Sequence, residues 1–262
     1  MSVISVASGK GGAGKTSLAA ALAAALGQGT VFADCDVDAA NGAIALGASI
    51  VEREDYLVGG SLSVDAGRCV GCGACLEACR FGAIKIGSGL ASIRAELCER
   101  CGACLDRCPA LAIRSQDKRA GELFVSTTSR GIACVHAELE AGEDTSGKLV
   151  HRVRERAARL AATRPESETT IVVDSPPGIG CPVIASLAGA NLVLVVIEAS
   201  ASGIRDAERL IGLARGMRRD CLALINKAGL SPEMDARAEA LAASAGLHLV
   251  GKLDFDPALR SA

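Results

Sequence analysis

The sequence predicts an α/β protein: a doubly wound, mostly parallel sheet with a small α+β module inserted into it. Three observations carry that expectation. A Gly-rich loop, Gly9-Lys10-Gly11-Gly12-Ala13-Gly14-Lys15-Thr16, stands between a short apolar run and an Ala/Leu-rich stretch. Short β-branched apolar runs alternate with helix-length stretches along most of the chain, the pattern of a parallel sheet with crossover helices. Interrupting that alternation is a block that carries eight of the twelve cysteines in a repeated spacing.

Residues 3–7 form the first apolar run and are a buried-strand candidate, and residues 16–26 read as a helix. The loop between them matches G-x4-G-K-[ST] from Gly9 to Thr16. A strand, a Gly-rich turn and a helix N-terminus in that order direct backbone N–H groups and the positive helix end at a phosphate. Gly9 to Ser17 are the candidate phosphate-binding residues, with Lys15 reaching the outer phosphates and the Thr16 hydroxyl on Mg²⁺. A second short strand, residues 30–33, ends in Asp34-Cys35-Asp36-Val37-Asp38. Carboxylates at the carboxyl end of a strand in an open α/β sheet face the ligand crevice.

An additional lysine, Lys10, gives the loop the form K-G-G-x-G-K-T. In this it resembles the deviant phosphate loop of MinD/ParA-type ATPases, the group that includes the nitrogenase iron protein. The resemblance implies that Lys10 crosses a dimer interface to the partner's nucleotide. It also implies that Asp36 orients the attacking water, with Asp34 nearer the magnesium. Phosphoryl transfer needs a positioned water more than a strong base, so a carboxylate suffices.

From about residue 59 the texture changes. Cys69-x2-Cys72-x2-Cys75-x3-Cys79 is followed by Cys98-x2-Cys101-x2-Cys104-x3-Cys108-Pro109, each cysteine 29 residues after its mate. The flanks repeat as well: Gly73-Ala74-Cys75-Leu76 with Gly102-Ala103-Cys104-Leu105, and Ala83-Ile84 with Ala112-Ile113. This is an internal duplication of a metal-binding unit. Paired C-x2-C units also build zinc sites; three cysteines at successive x2 spacing and a fourth at x3 suit a cube better than a single tetrahedral ion. Residues 60–117 resemble a two-cluster ferredoxin domain, which divides the ATPase into residues 1–59 and 118–262. The resemblance implies two [4Fe–4S] clusters with crossed ligand sets: Cys69, Cys72, Cys75 and Cys108 for one, and Cys98, Cys101, Cys104 and Cys79 for the other. Cys79 departs from the ferredoxin pattern in being followed by Arg80 rather than proline.

The alternation resumes near Glu122, with strand candidates at residues 124–125 and 132–135. A polar loop, residues 142–148, leads into a helix over 149–163 whose Arg152, Arg154, Arg156 and Arg159 read as a solvated face. The loop's Ser146-Gly147-Lys148 resembles a segment of ferredoxin-bearing MinD-like ATPases. Residues 171–173 are a buried strand ending in Asp174-Ser175-Pro176-Pro177-Gly178. A carboxylate there can hold Mg²⁺ through water, and Gly178 can turn its N–H toward a γ-phosphate; the segment resembles the family's D-x-P-P-G. Cys181 follows and reads as a packing or interface residue, while Cys35, Cys134 and Cys221 read as core. A buried strand is expected over 192–197, a helix over 204–217, a strand over 221–225, a helix over 233–245 and a last strand over 247–253. Asn226-Lys227, after the 221–225 strand, resembles the family's adenine-recognition position.

Composition excludes several classes. A net charge of −2 and five aromatic residues without tryptophan argue against a nucleic-acid surface. The chain starts directly in a strand, with no signal-peptide pattern and no bilayer-length apolar run, so a cytoplasmic, non-membrane protein is expected. The resemblance as a whole is to MinD-like ATPases with an inserted ferredoxin domain. It implies ATP hydrolysis with Mg²⁺, an ATP-dependent homodimer, and a redox or apo-metalloprotein client. Coupling of closure to iron–sulfur or metallocentre maturation is the first expectation and ATP-gated electron donation the alternative. A partitioning ATPase with structural clusters is the third.

Overall fold

The computed structural model describes residues 1–143, 145–164 and 169–260. It divides into two compact units, Met1–Glu54 with Gly121–Ala262, and Asp55–Ala120. The chain leaves the larger unit within β3 (Ser49–Val64) and re-enters it within β6 (Ile113–Thr127).

The larger unit begins with β1 (Ser2–Ala7), α1 (Lys15–Leu26), β2 (Val31–Asp34) and a single-turn α2 (Gly42–Ala45). After the insertion come β7 (Ala133–Leu139), α5 (Ser146–Ala162), β8 (Thr170–Asp174), α6 (Cys181–Leu187) and β9 (Leu192–Glu198). They are followed by α7 (Ala201–Gly216), β10 (Asp220–Ala228), α8 (Pro232–Ser244) and β11 (His248–Asp254). The strand order is β11-β10-β9-β1-β8-β2-β7-β6-β3. Pairing is parallel from β11 through β7, and β6 lies antiparallel to β7. The mostly parallel α/β sheet expected from the alternation is thus present. β1 sits between β8 and β9, so the loop leaving its carboxyl end opens onto the middle of the sheet.

The core follows from strand alternation. Val6, Phe32, Cys134, Val172 and Val196 pack with Ala19 and Ala23 of α1. Alanines on that face of α1 let the helix approach the strands closely, which brings its first turn over the sheet end. On the other side, Leu149, Val150, Val153, Ala157 and Ala161 of α5 are buried.

The smaller unit holds α3 (Ala74–Ala78), a hairpin of β4 (Ile84–Gly87) and β5 (Leu90–Ile93), and α4 (Ala103–Arg107). Its core consists of Cys75, Ile84, Ala91, Cys104 and Ile113. Thiols therefore make up much of the interior of this unit.

Several expectations needed correction. β3 was not foreseen, and β6 reaches well beyond the anticipated 124–125, because both are largely exposed and carry charges where a half-buried strand would alternate. β10 continues through Asn226 and Lys227 rather than ending before them. The arginines of α5 are not one solvated face: Arg154 is half-buried and donates to the Ala185 carbonyl at 3.0 Å. Arg156 and Arg152 pair with Glu52 and Glu54. Cys35 and Cys134 are core as expected, Cys221 is half-buried, and Cys181 is exposed, which removes the packing half of its expected packing or interface role. Asp144 of the polar loop lies outside the described residues. Among the described residues, no helix is long and apolar enough to cross a membrane.

Phe32 is the largest fully buried side chain and joins β2 to the α1 face. Phe32→Ala is expected to destabilise the protein by about 3–5 kcal/mol, measured as a shift in the chemical-denaturation midpoint at unchanged slope.

Candidate functional site

The phosphate loop occupies residues 9–16, and α1 starts at Lys15 within it. Gly14 precedes the helix with φ 88°. A side chain there would be strained and would collide with the Asn226 amide, so the loop's tight exit needs glycine. The Ser8 hydroxyl donates to the Lys10 carbonyl at 2.7 Å and shapes the entry. Lys15 is 5 % exposed, and Asp34, Asp36 and Asp174 all lie near enough to feel its charge.

The register of the sheet creates this grouping. Asp34 and Asp174 are partners across β2 and β8, and Asp174 is also paired with Val6 of β1, one residue before the end of that strand. Two carboxylates thus emerge side by side at the carboxyl ends of adjacent strands. The Asp34 carboxylate accepts from the backbone N–H of Gly42 at 2.7 Å and of Asp36 at 3.1 Å. It thereby ties down the loop that carries Asp36, and a side chain at position 42 would collide with Phe32 and Asp34. Burial pushes Asp34 up to about 6 despite those two N–H groups. Burial also raises Asp36, against the pull of Lys15. Asp174 is fully buried, and neither carboxylate oxygen has a partner at hydrogen-bonding geometry. Burial and then the Asp34 charge push it up to about 7, with the nearby Thr16 hydroxyl and Lys15 pulling the other way. Two orphaned oxygens beside a hydroxyl and a phosphate loop are an arrangement that a hydrated divalent cation completes.

Gly178, at φ 96°, donates its N–H to the Ser8 carbonyl at 3.3 Å, not toward the loop's interior. Asn226 and Lys227 brace the phosphate loop: the amide donates to the Ala13 carbonyl at 2.8 Å and the ammonium to the Gly12 carbonyl at 2.7 Å. Asn226 and Lys227 also line an open cavity of about 530 Å³, with Gly14, Ser17, Leu253, Asp254, Phe255 and Asp256 among the other walls. The segment Asp254–Asp256 was missed from sequence, as was Glu198. Glu198 accepts from Lys10 at 2.6 Å and from Lys227 at 3.0 Å. No motif marks either, although each follows an apolar strand at its carboxyl end, where ligands bind in such sheets.

In the smaller unit the cysteines surround two separate small pockets. Cys69, Cys72, Cys75 and Cys108 line one; Cys79, Cys98, Cys101 and Cys104 line the other. Each set therefore takes three cysteines from one repeat and the fourth from its mate. Cys69 Sγ accepts from the Ala91 N–H at 3.4 Å, and Cys108 Sγ from the Ala112 N–H at 3.3 Å. Burial raises the thiols of Cys75 and Cys104. Burial pushes Cys79 the same way, but the N–H groups of Ala83, Phe81, Ile84 and Gly82 outweigh it and lower that thiol. Among the described residues, no three Cys, His, Asp or Glu side chains converge closely enough to hold a single metal ion.

A central strand, a phosphate loop and carboxylates at the neighbouring strand ends define a nucleotide-binding α/β domain. Residues 4–262 match the CbiA family, described as the CobQ/CobB/MinD/ParA nucleotide binding domain. The chain belongs to this family and is an ATPase. It is 34 % identical over 239 residues to uncharacterized protein MJ0578 of Methanocaldococcus jannaschii, covering 87 % of this chain and 79 % of that one. Among solved structures it is similar to MinD of Pyrococcus horikoshii complexed with Mg-ADP (TM-score 0.57, 17 % identity, 99 % of this chain and 84 % of that one). It is also similar to the MinC:MinD cell division complex of Aquifex aeolicus (TM-score 0.56, 19 % identity, 100 % and 84 %). At those identities the likeness shows the fold.

The raised pKa of Asp174 gives a signed expectation. From its ordinary 3.8 up to about 7 the folded protein holds a proton that the unfolded chain releases, so this contribution to stability is lost as pH rises through about 7. Asp174→Asn is expected to stabilise the nucleotide-free protein by about 1–3 kcal/mol near pH 8 and by about half as much near pH 5.5. Thermal melts at the two pH values measure this, and the same variant should lose the extra stabilisation that Mg²⁺ adds to ADP.

Proposed function

We propose that this ATPase binds Mg-ATP at Gly9–Ser17, pairs with a second copy when ATP is bound, and carries two [4Fe–4S] clusters from which electrons pass to a partner protein. In this reading Lys15 and the N–H groups of the loop hold the phosphates, and Thr16 and Asp174 hold Mg²⁺ with water between. Asp36 positions the attacking water. Asn226, Lys227 and the Asp254–Asp256 segment wall the nucleoside. Lys10 reaches the partner's nucleotide, and Gly178 exchanges its Ser8 contact for the γ-phosphate.

The observation that carries the iron–sulfur part is the pair of cavities, each ringed by four thiols contributed in the crossed order. A zinc ion needs its ligands to converge on one point, whereas a cube needs them spread around a cavity. The residues present fit the cube. When bound, such a cluster takes up and returns one electron at low potential. The chain's own contribution is specific. Ala91 and Ala112 stabilise thiolate sulfur by N–H donation, four N–H groups do so around Cys79, and the apolar core excludes water from Cys75 and Cys104. Those two cysteines share one core, so the two sites are neighbours. Complete four-thiol sets favour retention of the clusters and hence electron transfer. Delivery of clusters to an apo-metalloprotein is the second reading, and its one supporting observation is the exposed Cys181 at the start of α6.

Protein purified without oxygen is expected to contain about eight iron and eight sulfide per chain, and Cys72→Ser is expected to lose about half of the iron. Zinc in place of iron would overturn the reading. Mg-ATP is expected to shift the cluster potential or accelerate reduction of a redox dye while the iron stays bound. Iron moving to an apo-ferredoxin acceptor would instead establish delivery. Lys15→Ala is expected to weaken Mg-ATP binding by at least about a hundredfold, measured by calorimetry.

A further inference from the structure

Lys10 is fully engaged within its own chain. An ammonium group has three donors, and all three have acceptors here: Glu198 Oε1 at 2.6 Å, Ser202 Oγ at 3.1 Å and Ser200 Oγ at 3.4 Å. Glu198 closes β9, and its side chain is 12 % exposed. Its second oxygen takes Lys227 at 3.0 Å, and Ser200 donates to the first, Oε1, at 3.0 Å. Lys227 in turn holds the Gly12 carbonyl at 2.7 Å. One carboxylate thus anchors two lysines that flank the phosphate loop, and the pull of Lys10, Lys227 and Ser200 outweighs burial and lowers the Glu198 carboxyl.

We infer that Glu198 is a positioning residue that keeps Lys10 in its own subunit until a partner's nucleotide takes its place. The inference rests on the ATP-dependent pairing proposed above. Its chemistry is an exchange of anions. In the nucleotide-free protein the carboxylate is the counter-ion of Lys10; in the pair, the phosphates of the partner's ATP replace it. No covalent bond changes. ADP lacks the terminal phosphate charge and competes less well with the carboxylate, so Lys10 returns to Glu198 after hydrolysis and the pair reopens. Lys227 remains held by Gly12 and keeps the loop in shape while Lys10 is away. Two serines placed beside Glu198 complete a dedicated receptacle for the ammonium rather than a chance surface contact.

A held lysine reduces the apparent affinity of pairing by the fraction of molecules in which it is free. Both subunits of a pair must free their lysine, so the fraction enters twice, and with about two-thirds of molecules latched release raises apparent affinity about tenfold. The test compares wild type, Glu198→Gln, Lys10→Ala and the double variant. Glutamine keeps the shape and the hydrogen-bonding capacity and removes only the charge, and circular dichroism with thermal melts checks folding of each protein. Two readouts are taken. The first is the rate at which an amine-reactive probe labels Lys10 in nucleotide-free protein at a dilution where pairing does not occur. The second is the protein concentration for half-maximal pairing in Mg-ATP, by analytical ultracentrifugation.

Glu198→Gln is expected to raise Lys10 labelling several-fold and to lower the pairing midpoint about tenfold. In the Lys10→Ala background, Glu198→Gln is expected to leave the midpoint unmoved. Faster labelling with an unchanged midpoint would overturn the inference, because the contact would then exist without governing pairing. An equal gain in the Lys10→Ala background would overturn it too, since Glu198 would be acting through another group. A wild type that never pairs in Mg-ATP would remove the pairing reading and this inference with it, an outcome distinct from pairing that ignores Glu198.

Discussion

The larger unit is organised around one buried ammonium, that of Lys15. A lysine 5 % exposed is costly without anions around it, and the sheet supplies three carboxylates at its carboxyl edge. They do not settle the charge balance. Asp34 spends both oxygens on the backbone of its own loop, and Asp174 is left with two oxygens and no partner. Asp34 and Asp174 also repel each other across adjacent strands. The site is therefore complementary to a ligand bearing both signs, anionic phosphate for the lysine and loop N–H groups and a divalent cation for the carboxylates. Strand register decides this. A shift of one residue between β2 and β8 would turn one carboxylate to the opposite face of the sheet.

The smaller unit meets a different constraint. A segment the length of Asp55–Ala120 buries little apolar surface, and its core is Cys75, Ile84, Ala91, Cys104 and Ile113. Units of this size commonly need a covalent or inorganic staple. Placing thiols in the core and around two cavities makes the proposed clusters part of the packing, so that loss of iron and loss of folding would be linked events.

How much of this was readable in the sequence varies with the source of each element's stability. β1, β8 and β9 are continuous apolar runs because both faces are covered, and they stood out at once. β3 was invisible: of Ser49–Val64 only Tyr56 and Gly60 are buried, and Glu52, Arg53, Glu54 and Asp55 run in succession. Its order comes from pairing with β6, which leaves no hydrophobic rhythm. The phosphate loop and the cysteine spacings were legible because chemistry fixes their intervals. Glu198 and the Asp254–Asp256 segment were not, because their places depend on strands far apart in sequence coming to lie side by side. Arg154 was misread with its neighbours, since helix position alone does not say which long side chain turns under α6 to reach Ala185.

The cavity beside Asn226 is walled by segments far apart in the sequence. Gly14, Ser17 and Leu18 come from the first strand–helix connection, while Leu253 to Asp256 follow the last strand. During synthesis, which proceeds from the N-terminus, the cysteine unit emerges while that far wall is still unmade. The wall of this cavity is therefore completed only after β11 has been made, long after the cysteine unit has its full sequence.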